Sequence, residues 1–154
     1  MSTRSSHRTY RAVMTYRPEN LDKAVREFTE VLGIDDMEGP YVLEHLGVRV
    51  YISWNAGLEF VSPHGDAEGA AATWEMLKTR GEGLSNVAFG VDDLDAAEKR
   101  ATDNDHPRMG PRIDARTLVD DWSIRFAFAT ESVLTPIAGV PVTLIESREA
   151  PSKK

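Results

Sequence analysis

The feature that most constrains this chain is an internal repeat. Tyr10 to Tyr16 (YRAVMTY) predicts a strand, followed by the turn RPEN and the helical run LDKAVREFTEVLGI. In that run Leu21, Ala24, Val25, Phe28, Val31 and Leu32 fall at helical spacing, with Asn20 placed as N-cap and Gly33 as the C-terminal glycine. The pattern then switches to period two, predicting short strands over 41–45, 48–53 and 57–62. The same order returns from Val87. A strand over 87–91 leads into Asp92-Asp93 and LDAAEKRATDND, an uncertain strand over 112–115, and clearer ones over 123–129 (SIRFAFA) and 140–146 (VPVTLIE). The pair Leu-Asp recurs at 21 and 94. Each half is one strand, one helix and three strands, and neither half can bury an apolar sheet face alone. Residues 67–79 (AEGAAATWEMLKT) predict a helix joining modules at about 10–66 and 83–147, with 1–9 and 148–154 as flexible tails.

Composition removes several function classes. With 154 residues the chain has the size of one domain. A net charge of −7 argues against binding a phosphate backbone, so nucleic acid is not an expected partner. No cysteine is present, so disulfides, thiolate metal sites and cysteine nucleophiles are excluded, and a metal would need His, Asp or Glu. No apolar run reaches the roughly 18 residues of a membrane span and no secretory leader precedes the first strand, so a cytoplasmic location is expected.

At this point the motifs resemble a known family. Arg80 to Ala97 (RGEGLSNVAFGVDDLDAA) resembles the second-module entry of the vicinal oxygen chelate superfamily in its methylmalonyl-CoA epimerase branch. GLEFVSP (57–63), the first helical run and VPVTLIE are similar to its fourth strand, first helix and last strand. The resemblance implies an α+β fold in which two βαβββ modules form a cup-shaped mixed sheet with helices on the convex face, commonly as a homodimer. It also implies a divalent metal held by four inward side chains. Carried over position by position, those ligands fall on Glu59, Asn86 and Thr143, and on either Arg11 or Val13 at the fourth place, which strand parity leaves open. One carboxylate with Asn and Thr does not supply the donors a hard divalent ion needs, so no metal and no other cofactor are expected. If Arg11 is the inward residue, its guanidinium can pair with Glu59 in place of the metal's charge.

Strand parity predicts what faces the cup. With Val48, Val50 and Ile52 turned to the helices, Arg49, Tyr51 and Ser53 face inward; the same reading of 123–129 buries Ile124, Phe126 and Phe128 and turns Arg125 inward. Leu58 and Phe60 pack on helices and leave Glu59 in the cup. Arginines 11, 49 and 125 then suggest an anionic or carbonyl-bearing small ligand. Trp54 and Trp122, at strand ends, suit either an aromatic lip for a planar ligand or edge packing. His45 stands where the epimerase branch carries a general-base glutamate, beside Glu44, and an imidazole suits proton transfer near neutrality. The leading expectation is a metal-independent isomerase, epimerase or lyase that abstracts a proton next to a carbonyl, with His45 or Glu59 as base. The alternatives are a non-catalytic small-molecule binder of the bleomycin-resistance kind and a metal-dependent epimerase with an atypical site.

Overall fold

A computed structural model describes residues 8–151, so the expectations for 1–7 and 152–154 lie outside the described residues. The fold is α+β, a strand–helix–three-strand module occurring twice. Two compact units result, residues 11–85 and residues 86–151 with the start of the first strand. Among the described residues no helix is long and apolar enough to cross a membrane.

In the first unit the strands lie in the order β2 (Glu38–Leu43), β3 (Val48–Ser53), β4 (Leu58–Pro63), β1 (Arg8–Thr15). β1 runs parallel to β4 and the other pairs are antiparallel. Helix α1 (Pro18–Leu32) lays Leu21 and Val25 on fully buried Phe60, with Met14, Tyr16 and Phe28 around it. Its first residue is Pro18, preceded by Arg17 as N-cap, because proline's missing N–H costs nothing in a first turn. Asn20, expected as the cap, instead donates from Nδ2 to Glu82 Oε1 at 2.9 Å. Gly33 closes the helix at φ 66°, as its place in the sequence predicts.

Helix α2 (Glu68–Arg80) follows β4 and packs on the turn 44–46. This contact depends on missing side chains. A Cβ at Gly69 would lie 1.9 Å from the Leu46 carbonyl oxygen, and one at Gly47, where φ is 65°, would lie 2.5 Å from the Ala70 nitrogen. Alanine is the better helix former by about 1 kcal/mol, yet Gly69→Ala is expected to lower stability by about 1–3 kcal/mol, because backbone rather than a flexible side chain must move. Urea unfolding checks the sign.

In the second unit the order is β5 (Gly83–Gly90), β8 (Val142–Glu149), β7 (Phe126–Val133), β6 (Ile113–Asp114). Helix α3 (Leu94–Asp103) is capped by the Asp93 carboxylate, which accepts from Ala96 N at 2.9 Å. Leu94 and Ala97 pack on Leu134, Val142 and Leu144. The strand expected over 123–129 is half helix: α4 spans Asp120–Arg125 and β7 begins only at Phe126. Two aspartates in the first turn favour a helix there, so Ile124 is 74% exposed instead of buried.

Glu98 of α3 carries the strongest charge cluster of this unit. It accepts from Arg112 Nε at 2.9 Å and Nη2 at 2.7 Å, and from Arg108 Nη1 at 3.3 Å. The Arg112 guanidinium holds the Glu98 carboxyl down to about 2. A carboxyl depressed in the folded state stabilises the fold above its ordinary value, and that contribution disappears as pH falls from about 4.5 toward 2. Arg112 is 34% exposed, so screening limits the contribution to about 1–2 kcal/mol. Glu98→Gln is therefore expected to lose this much at pH 7 and only a small part of it at pH 2, measured by denaturant unfolding of both proteins across that range.

Candidate functional site

The decisive geometry lies in the first unit, on the sheet face turned away from α1. In the ladder Glu38 pairs with Ile52, Ile52 with Glu59, and Glu59 with Val13, so one row crosses all four strands. Phe60, next to Glu59, points into the α1 core, which turns Glu59 to the opposite face. Arg11, two residues before Val13, shares that face. Its Nε stands 2.5 Å from Glu59 Oε2, with the side chains only 8% and 16% exposed. Of the two residues that parity left open, Arg11 thus meets the carboxylate and Val13 flanks it.

The remaining predicted residues of this unit sort differently. Arg49 and Tyr51 face α1, not the Glu59 side: Arg49 Nη1 stands 3.0 Å from Asp22 Oδ1, and the Tyr51 hydroxyl donates to the same oxygen at 2.8 Å. That hydrogen bond, helped by Arg49, holds the Asp22 carboxyl below the usual range, while burial and Asp22 push the Tyr51 phenol up. The parity of β3 is therefore the reverse of the expected one, with Val50 and Ile52 buried on the Glu59 face. The polar residues could go to the helix side because α1 presents a carboxylate there.

Trp54 is half-buried and donates from Nε1 to Glu38 Oε2 at 3.1 Å; the Tyr41 hydroxyl reaches the same oxygen at 3.3 Å. Glu38, in the same ladder row as Glu59, is a residue that sequence alone did not single out. The irregular register between Glu38 and Tyr41 breaks the alternation that would have flagged it. On the same face the Thr15 hydroxyl donates to Ser85 Oγ at 2.7 Å.

His45 lies in a 3-10 turn rather than a strand and is exposed. It precedes the Val48 end of β3, whereas Glu59 pairs with Ile52 four residues on, about 13 Å along the strand. The structure does not bring the two candidate bases together. Glu44, the neighbour of His45 in sequence, stands 3.4 Å from His64 Nε2.

In the second unit Asn86 is half-buried, and its Oδ1 has no hydrogen-bond partner among the described residues. Thr143 is buried and pairs with Ala88, so both Thr143 and Asn86 lie on the face away from α3. Trp122 is buried in α4 rather than standing at a strand end, and Arg125 ends that helix with its guanidinium 5.9 Å from the Phe126 ring. Of the arginines expected to face one hollow, Arg11 adjoins Glu59 and Arg49 is held by Asp22.

The donors at these positions are one carboxylate, one amide and one hydroxyl, with a guanidinium beside the carboxylate. Among the described residues no three His, Asp or Glu side chains converge, and the Glu59 carboxylate already meets a guanidinium. A hard cation needs several anionic oxygens and would be repelled by Arg11.

Solved structures align over nearly the whole chain. A hypothetical protein from Bacillus halodurans C-125 matches with TM-score 0.72 and 15% identity, over 96% of this chain and 99% of that one. Methylmalonyl-CoA epimerase from Streptomyces coelicolor, crystallised with 2-nitronate-propionyl-CoA, matches with TM-score 0.68 and 22% identity, over 94% and 98%. The Mycobacterium tuberculosis epimerase gives TM-score 0.66 and 18% identity, over 93% and 88%. The likeness is one of fold. It is the fold of those epimerases, and the two-module α+β architecture agrees with what the repeat implies. No protein-family model and no curated protein sequence matches.

Proposed function

We propose that this chain is a metal-independent enzyme of vicinal-oxygen-chelate type, an epimerase or isomerase that moves a proton next to the carbonyl of a small ligand. The ion pair between Arg11 and Glu59, the latter on a position that the resemblance assigns to a metal ligand and the former on one of its two first-strand options, carries the reading. A guanidinium has the positive charge and the directed donors to stabilise an enolate oxygen without coordination chemistry. Glu59 is the base in this scheme, and Glu38 is a positioning residue that fixes Trp54 and Tyr41 on the same face. His45 has no part in it. With Arg49 held by Asp22, the ligand needs one cationic contact rather than three. The substrate class to try first is an acyl-CoA thioester, because some of the epimerase neighbours were solved in complex with 2-nitronate-propionyl-CoA or methylmalonyl-CoA.

A second reading, a binder without turnover, is favoured by the commitment of the Glu59 carboxylate to Arg11. Incubating chelator-treated protein with methylmalonyl-CoA in D2O separates the two. The enzyme reading predicts deuterium at the carbon next to the thioester carbonyl, with the rate falling at least about 100-fold in Glu59→Gln. Tight binding without exchange leaves the binder. Exchange that appears only on adding a divalent ion contradicts the metal-independent scheme.

A further inference from the structure

A hollow lies wholly in the other unit, on the α3 side of its sheet, and nothing in the proposed chemistry uses it. It encloses about 400 Å³ between α3, the sheet and residues 134–142. Its floor is apolar: Phe89, Leu134, Val142 and Leu144 belong to or pack on the α3 core, and Ile137 forms a wall. Ile137 is held there by a tight hairpin, with reciprocal 2.9 Å hydrogen bonds to Val140 across Ala138 and Gly139, both at positive φ.

The rim is of one sign. Arg100, Asn104 and His106 line it and no carboxylate does, in a chain of net charge −7. The end of α3 puts them there. Asp105 adopts φ 64°, and the Asp105 and His106 amides close back onto the Thr102 and Ala101 carbonyls at 3.1 and 2.8 Å. The carbonyl ends that would oppose an anion are thereby engaged. The Asn104 amide is spent on the Arg100 carbonyl at 2.8 Å, whereas the Arg100 guanidinium has no partner among the described residues.

We propose that this hollow binds a free medium-chain aliphatic carboxylate, its tail on Phe89, Leu134, Val142 and Leu144 and its carboxylate at Arg100, with His106 beside it. The volume admits about ten methylene-sized groups. A buried methylene tightens binding about four-fold, and a charge-assisted pair to arginine is worth about ten-fold or more.

The test is calorimetry on the full chain with butanoate, hexanoate, octanoate and octan-1-ol, alongside NMR of the Ala101 and His106 resonances. Affinity is expected to rise about four-fold per added methylene, with those resonances shifting. Arg100→Gln, at an exposed position, should weaken octanoate about ten-fold or more and leave octan-1-ol unchanged. Affinity independent of chain length, equal loss for acid and alcohol, or shifts confined to other residues would overturn the proposal. So would failure to bind because a second copy of the chain covers the hollow, which sedimentation reveals. The outcome is independent of the proton-transfer scheme, since none of these residues belongs to it.

Discussion

Arg11→Met is expected to destabilise the protein by about 3–5 kcal/mol, while the double variant Arg11→Met/Glu59→Leu recovers most of that loss. The asymmetry follows from burial. Methionine fills much of the arginine's volume, but it leaves the Glu59 carboxylate, 16% exposed, without the guanidinium 2.5 Å away. Taking a charge out of water costs several kcal/mol unless a partner offsets it, whereas removing both charges removes the requirement. Urea unfolding of the wild type, both single variants and the double variant closes the cycle, and a coupling energy below about 0.5 kcal/mol would contradict the pairing. Glu59→Gln, which keeps shape and hydrogen-bonding capacity, should cost less than Arg11→Met.

Phe60→Ala is expected to cost about 3–5 kcal/mol, and Phe60→Leu less than about 2. The ring is fully buried, meets Phe28 edge-on at 5.1 Å and stacks near Tyr16 at 6.4 Å, with Leu21 and Val25 over it. Truncation to alanine leaves a cavity under α1 that these neighbours fill only in part. The site feels the change too. Side chains alternate along β4, so the burial of Phe60 is what keeps Glu59 aimed at Arg11. A one-residue slip would exchange the two, and the deep apolar pocket for Phe60 forbids it. Loss of ligand binding in Phe60→Ala under conditions where it remains folded would reflect that role.

Legibility in the sequence followed local chemistry. The repeat, α1, Gly33 and the inward turn of Glu59 were readable because apolar spacing and a closing glycine act within one element. The pairing of Arg11 with Glu59 was readable as one of two options, since parity cannot separate residues two apart. The facing of Arg49 and Tyr51 was not readable, because it depends on Asp22, an acid on another element that satisfies both. Arg125 and Trp122 were misplaced for a different reason. The alternation of SIRFAFA also suits a short helix once Asp120 and Asp121 occupy its first turn, and tertiary packing decides between the two. Glu38 was hidden by an irregular register that no alternating pattern announces.

The claim on which the functional account turns is that a guanidinium, and no divalent ion, complements Glu59. Titrating chelator-treated wild-type protein with Co²⁺ in a calorimeter tests it directly. The account predicts no stoichiometric binding tighter than about millimolar, since one carboxylate beside an arginine is a poor ligand set. One equivalent bound at micromolar affinity, and lost in Glu59→Gln, would contradict it.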